Sequence, residues 1–305
     1  MNMAITMLPS DIQRSNELMF SRKNVLKYVR DFITTNEEVI TKTDEGVALI
    51  EDWLSRDYYA SKNKRLEQVK LMDVRQLVVD IFCSIAVFQE QETFVSAASQ
   101  VAKHLSFDDH RNSITTVAEI LAVLCNTGVF VIWKNSRESS MLLQSQMRLP
   151  INLVNAIDRS QYLPPMVSEP KTITNNFESG HLTLNDSQIL GRQSTHSDDI
   201  CLDILNTQNK IPLKLDTEFL SIVEEEPNPG SPLDSIEKQT NWDRMKAGSY
   251  EMYLLMAKQG NKFWQLNSYD KRGRLYTQGF QINFQGPSFK RACIELHNSE
   301  LVEGI

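Results

Sequence analysis

The chain has 305 residues, 41% of them hydrophobic and 23% charged, enough for a sizeable core and for two structural units. No apolar run reaches the roughly 18 residues of a membrane-spanning helix, and residues 1–10 lack the basic-then-apolar order of a secretory signal. A net charge of −7 excludes a protein that coats nucleic acid unaided, because neutralising phosphates takes a basic surface, yet it leaves room for one local basic patch in a larger assembly.

The first half predicts helices. Leu26, Val29 and Ile33, widened by Val25 and Phe32, recur at helical spacing, and so do Val47, Ile50 and Leu54 beside Trp53. Val78, Ile81, Phe82 and Ile85 predict a well-buried helix. Val117, Ile120, Leu121 and Leu124 predict another, stopped at Asn126-Thr127-Gly128 by a left-handed glycine. Val129 to Trp133 and Met141 to Met147 predict two strands of a β-hairpin with a polar tip at residues 134–139. Leu149-Pro150 opens a short helix through Val154 and Ile157.

Leu163-Pro164-Pro165-Met166-Val167 is forced into an extended path. Ile204, Leu205, Ile211 and Leu215 predict a helix that Pro212 must kink or divide. Residues 224–232, acidic and proline-rich, form the clearest linker. A helix follows over Ser249 to Trp264, with Tyr250, Tyr253, Leu254 and Ala257 on one side. Leu275 to Phe284 is strand-like, Gln285-Gly286-Pro287 is a turn, and Ser288 starts a last helix. The expected fold class is therefore α+β, mainly α. A helical N-terminal domain with its hairpin at 129–147 spans 1–163, a helical connector with the acidic linker spans 164–248, and a helix, a basic turn and the start of a β structure span 249–305.

Four widely scattered cysteines (Cys83, Cys125, Cys201, Cys293) form no CxxC pair, and the five histidines are dispersed. The expectation is reduced thiols in a cytosolic protein, and no zinc site.

The most distinctive stretch is Asp270-Lys271-Arg272-Gly273-Arg274-Leu275-Tyr276. Gly273 permits a positive φ or a close backbone approach, Arg272 and Arg274 supply forked donors for phosphate, and Tyr276 offers a face to a base. Asp270 is expected to orient an arginine or cap the turn, since a carboxylate repels nucleic acid. The pattern resembles the DxxGR motif of phage-type single-subunit RNA polymerases. The preceding Met256 to Phe263, the following Asn283-Phe284-Gln285-Gly286 with Lys290, and the upstream Pro165-Met166-Val167 with Pro170 resemble that family's neighbouring segments in the same order. With the helix, Thr-Gly, strand and hairpin at 113–147, the resemblance covers roughly residues 113 to 305 and is low in identity.

The resemblance implies that Asp270, Lys271, Arg272, Gly273, Arg274 and Tyr276 grip template strand and hybrid, with Lys290 adding a phosphate contact. Residues 275–301 would begin a polymerase palm completed by a partner chain. In that family the metal-binding aspartates lie C-terminal to DxxGR, and this chain carries only about thirty residues beyond it. His196-Ser197-Asp198-Asp199 and Asp108-Asp109-His110 lie upstream and read as helix starts.

The chain is thus expected to be inactive alone. The start at Met1 and the end at a helix and turn favour the smaller subunit of a naturally split RNA polymerase over a fragment. A larger catalytic subunit would hold Mg2+, and the pair would act on template DNA and nascent RNA in the cytoplasm of a bacterial host. An exposed apolar strand also makes obligate association natural. The hairpin occupies the place of that family's promoter wedge, but its tip has no apolar residue to insert between bases. Weak promoter melting is expected, with single-stranded template or an accessory loading protein needed, and the short region before 249 puts independent processivity in doubt. Two other classes stay open. One is a DNA-binding regulator with a winged-helix-like module at 92–147, for which the helix at 113–125 offers only Thr115, Thr116, Glu119 and Arg111. The other is a purely structural or interaction protein.

Overall fold

The computed structural model describes residues 8–88, 90–105, 107, 109–134, 140–191, 198–228, 230 and 232–298. The chain divides into two compact units, one made of Arg22–Gln161 and the other of Tyr162–Ile305 joined by Met1–Ser21. The residues before Arg22 thus group with those after Gln161. The class is α+β, mainly α, with small sheets.

In chain order, α1 (Pro9–Phe20) is followed by the helices of the first unit: α2 (Arg22–Thr35), α3 (Glu37–Ser55), α4 (Ala60–Lys70) and α5 (Val74–Ala86). Val25, Val29 and Ile33 give α2 its buried stripe. Asn36 caps α3 by accepting from the Val39 N–H at 3.2 Å, with Glu37 and Glu38 favourably placed in the first turn. Asp73 caps α5 in the same way through Gln76, at 3.0 Å. Leu77, Val78, Ile81, Phe82 and Ile85 are all buried on α5. Each such side chain contributes roughly 1.5–3 kcal/mol by leaving water, which makes α5 the centre of this core.

Then come β1 (Glu92–Thr93), α6 (Phe94–Val101), α7 (His110–Leu124), β2 (Phe130–Lys134), β3 (Met141–Ser145) and α8 (Ile151–Arg159). Asp109 accepts from the Arg111 N–H at 2.9 Å and starts α7. A 3-10 turn ends it at Gly128, whose φ of 74° a side chain would resist. The hairpin pairs Phe130 with Ser145 and Lys134 with Met141, and β1 adds to the far side of β3 in the order β1-β3-β2. The hairpin tip at 135–139 lies outside the described residues.

The second unit contains α1, α9 (Leu202–Asn209), β4 (Leu213–Leu215), α10 (Thr217–Ile222), α11 (Ile236–Lys258), β5 (Asn267–Tyr269), β6 (Leu275–Thr277), α12 (Ser288–Ala292) and β7 (Ile294–Leu296). β4 pairs antiparallel with β7, and β5 with β6. Met252, Tyr253 and Met256 of α11 meet Leu213, Leu215, Phe263 and Ile282 in its core, together with Phe20 and Val167.

α1 is bound into this unit by polar groups. Glu17, fully buried, accepts from the N–H groups of Leu182 at 2.7 Å and Thr183 at 2.6 Å and from Gln13 Nε2 at 2.9 Å. Gln13 Oε1 in turn accepts from the Val167 N–H at 2.8 Å.

Several expectations are corrected. The helix predicted through Leu215 ends at Asn209, and after Pro212, which has no N–H to continue it, residues 213–215 form a strand. α11 begins thirteen residues before 249, capped by Ser235, and stops at Lys258 because Gly260 and Asn261 turn left-handed at φ 102° and 51°. Its buried face is Ser249, Met252, Tyr253 and Met256, while Leu254 and Ala257 face outward. The strand expected over 275–284 is only Leu275–Thr277, since Gly279 at φ 121° bends the chain away. No described helix is long and apolar enough to cross a membrane.

Candidate nucleic-acid interface

The basic heptapeptide forms the end of the β5–β6 hairpin. Asp270 N–H donates to the Arg274 carbonyl at 2.9 Å and Gly273 N–H to the Asp270 carbonyl at 3.0 Å, closing a three-residue loop of Lys271, Arg272 and Gly273. Such loops need a left-handed residue before the second strand, and Gly273 supplies it at φ 77°. The Asp270 carboxylate serves the whole turn. Its Oδ1 accepts from the N–H groups of Arg272 at 2.9 Å and Arg274 at 3.0 Å, and its Oδ2 takes Arg274 Nε at 2.8 Å and Nη2 at 2.7 Å. Arg272 Nε stands 3.4 Å from the same oxygen.

Hydrogen bonds from the Arg274 backbone and side chain hold the Asp270 carboxyl below the usual carboxylate range, and Asp270 raises the Arg274 guanidinium in return. The carboxylate is tucked in at 17% side-chain exposure, whereas Arg272 and Arg274 are 71% and 51% exposed. The turn itself requires the aspartate and the glycine but neither guanidinium. Arg274 lies over the Tyr276 ring, 5.4 Å from its centroid, with Tyr276 at the surface. The result is a pair of arginine forks held by one carboxylate, with an aromatic face beneath one of them, an arrangement suited to phosphate and base together.

Residues with no role assigned from sequence brace this hairpin. Gln285 uses its side-chain amide as a strand would, donating to the Leu275 carbonyl at 3.2 Å and accepting from the Thr277 N–H at 2.9 Å. Asn283 Nδ2 donates to Thr277 O at 3.2 Å and to Gly279 O at 2.9 Å, and the Gly286 N–H closes the turn on the Asn283 carbonyl at 3.0 Å. The sequence marks these two amides only by the turn at Gly286 and by the resemblance of residues 283–286 to a family segment, neither of which assigns them this bracing role. Buried Asn267 ties β5 to Asn209 of α9 at 3.0 Å and to Thr277 of β6 at 2.9 Å.

Four of the segments singled out in sequence lie in this unit, whereas 113–147 belongs to the first. The backbone of Met166 pairs with Trp264, that of Phe263 with Leu213, and the side chain of Asn261 bonds both backbone groups of Leu215 at 2.9 Å. Lys290 is different from the expected phosphate contact. It is buried, its Nζ donates to the Phe280 carbonyl at 2.7 Å, and burial lowers its pKa against the opposing pull of Glu225. It therefore does not stand on the surface with Arg272 and Arg274. Glu225, inside the acidic linker, is itself buried, which raises its carboxyl.

Of the two carboxylate–histidine clusters, Asp109 is a helix cap, Asp198 lends its carbonyl to Asn176 Nδ2 at 2.7 Å, and Asp108, His196 and Ser197 lie outside the described residues. Among the described residues no three His, Cys, Asp or Glu side chains converge as a metal site.

In the first unit α5, β1, α6, α7, β2 and β3 follow one another with sheet order β1-β3-β2, the part of the chain where a winged-helix-like module is the alternative expectation. Its α7 would be the reading helix. Thr116 of α7, however, is fully buried and accepts from Arg65 at 2.6 Å, and Glu119 is held by Arg65 at 2.8 Å and Lys62 at 2.9 Å, both from α4. Residues that should face a groove are thus occupied within the unit. No family model matches the chain, and no curated protein does.

Proposed function

We propose that the chain is the smaller, N-terminal subunit of a split single-subunit-type RNA polymerase. It would contribute template and hybrid contacts through the β5–β6 hairpin, act in the cytoplasm of a bacterial host and begin a palm that a larger chain completes. The observation that carries the reading is the pair of exposed arginines, Arg272 and Arg274, held by Asp270 on a turn whose own closure needs neither. Polymerisation by two metal ions needs aspartates to hold them, and in this reading Mg2+ and the chemical step belong to the partner. The part played here is positioning: forked donors on backbone phosphates, and Tyr276 against a base.

The test is co-expression with the neighbouring genes, affinity capture, and RNA synthesis on single-stranded DNA. A larger chain should co-purify, and the pair alone should synthesise RNA with magnesium. Arg272→Ala with Arg274→Ala should leave assembly intact and lower synthesis at least about tenfold, each lost charge-assisted contact being worth about 1.5–3 kcal/mol. Undiminished synthesis by that variant would overturn the role of the hairpin.

A DNA-binding regulator is the second reading, favoured by the strand order of the first unit. It requires the chain alone to bind duplex DNA with sequence preference. The engagement of Thr116 and Glu119 by α4 argues against that, since a reading helix must present polar side chains to the groove.

A further inference from the structure

Tyr162 and Phe280 stack face to face, ring centroids 4.4 Å apart and planes 12° from parallel, while 38% of the tyrosine and 41% of the phenylalanine remain exposed. Neither belongs to the hydrophobic clusters of the second unit. Large aromatic side chains gain most by burial, so an ordered pair at the surface calls for something other than core packing.

The segment that carries Phe280 is clamped at four successive carbonyls, each by a side chain. Asn283 holds Gly279 O at 2.9 Å, Lys290 holds Phe280 O at 2.7 Å, Tyr253 holds Gln281 O at 3.3 Å and Gln265 holds Ile282 O at 2.6 Å. Lys290 also places its ammonium 4.4 Å from the Phe280 ring centroid. The ring is thus presented by a rigid loop and lies between a buried ammonium and Tyr162, so the face that the pair offers is that of Tyr162. Phe280 follows Tyr276 by four residues, so the two aromatic positions are at most about 14 Å apart along the chain. That distance lies within the reach of a single strand of about 4–16 nucleotides, the footprint usual for such sites.

We infer that the Tyr162–Phe280 stack is a platform for an unpaired nucleobase, extending the strand whose phosphates meet Arg272 and Arg274. Rigid aromatic faces alternating with cations hold single strands in this way, because every base has a face to stack and every link a charge to meet. The inference rests on the reading of the hairpin as a nucleic-acid contact, and adds a second, base-directed site to it.

The experiment uses the full chain, with its co-purifying subunit if one is captured, and two fluorescent probes of about twelve nucleotides. One is an oligothymidylate, the other an abasic strand of equal length and charge; anisotropy is measured across a salt series. Tyr162→Leu and Phe280→Leu should each weaken oligothymidylate binding about tenfold, leave the salt slope unchanged, and have no effect on the abasic strand. Phe280→Trp should restore binding and show that the fold is intact, its indole fluorescence quenched by the oligothymidylate and not by the abasic strand.

If the leucine variants bind both probes as the natural chain does while Arg272→Ala/Arg274→Ala loses both, the platform is refuted and the hairpin contact stands. If the arginine variant also binds normally, the hairpin reading fails and takes the platform with it. If the leucine variants bind DNA normally but release the co-purifying chain, the pair is a protein contact and the inference is overturned.

Discussion

Burial by itself would raise the carboxyl of Glu17, but hydrogen bonds from His181, Thr183, Gln13 and the Leu182 N–H outweigh it and bring the pKa from the ordinary 4.5 to about 2. The folded chain therefore binds this proton less readily than the unfolded one. The stabilisation, up to about 3 kcal/mol, is complete above pH 4.5 and decays as pH falls through about 2. Glu17→Gln should lower the urea midpoint of the second unit at neutral pH. It should also remove the part of the acid sensitivity that the natural chain shows between 4.5 and 2. Equal acid sensitivity in both chains would show that another carboxyl is responsible. At this scale the sequence is unevenly legible. The capping role of Asp270 and the positive φ of Gly273 were legible, since a tight turn leaves few choices for either residue. The burial of Lys290 was not, because it depends on the carbonyl of Phe280, ten residues earlier, and on a setting that includes Glu225 of the acidic linker.

Among the elements, α3 meets α5 and α7 at Gly46. A Cβ there would stand 3.1 Å from Leu124 and 3.2 Å from Val78, so the glycine sets how closely the three helices pack. Gly46→Val should cost about 1–3 kcal/mol through overpacking, read as a lower urea midpoint with an unchanged m-value. A midpoint at or above the natural one would show that the helices can part to make room. The helices of the first unit were legible because their stripes are local: Val25, Val29 and Ile33 announce α2 without help from any other segment. β4, β5 and β7 were not, since three residues carry no periodicity and each strand is defined by a partner. The start of α11 was hidden for a related reason. Its first turns, Ile236 to Arg244, have mostly polar residues and no apolar stripe, and the cap at Ser235 was the one available signal.

At the scale of the molecule, the second unit is discontinuous, taking in α1 from the other end of the chain. Deleting residues 1–21 removes Gln13, Glu17 and Phe20, leaving the amides of Val167, Leu182 and Thr183 without their acceptors, at about 1–3 kcal/mol for each buried group. Hydrogen exchange read by mass spectrometry should then show lost protection across 162–298 with protection of Arg22–Gln161 retained. Uniform protection in the truncated chain would contradict this organisation. Nothing near α1 in sequence announces the pairing, because it is made by polar side chains meeting backbone amides far along the chain.

The Gln285 amide has a consequence for how such a unit can grow. By bonding Leu275 and Thr277 it fills the one side of β6 at which a third strand would be added. A sheet margin closed by a side chain resists unwanted extension into neighbouring copies without spending a charge or a proline on the task. It also dictates the manner of any recruitment here: another chain can dock on the hairpin's side chains, but it cannot continue the sheet from β6 unless Gln285 first lets go.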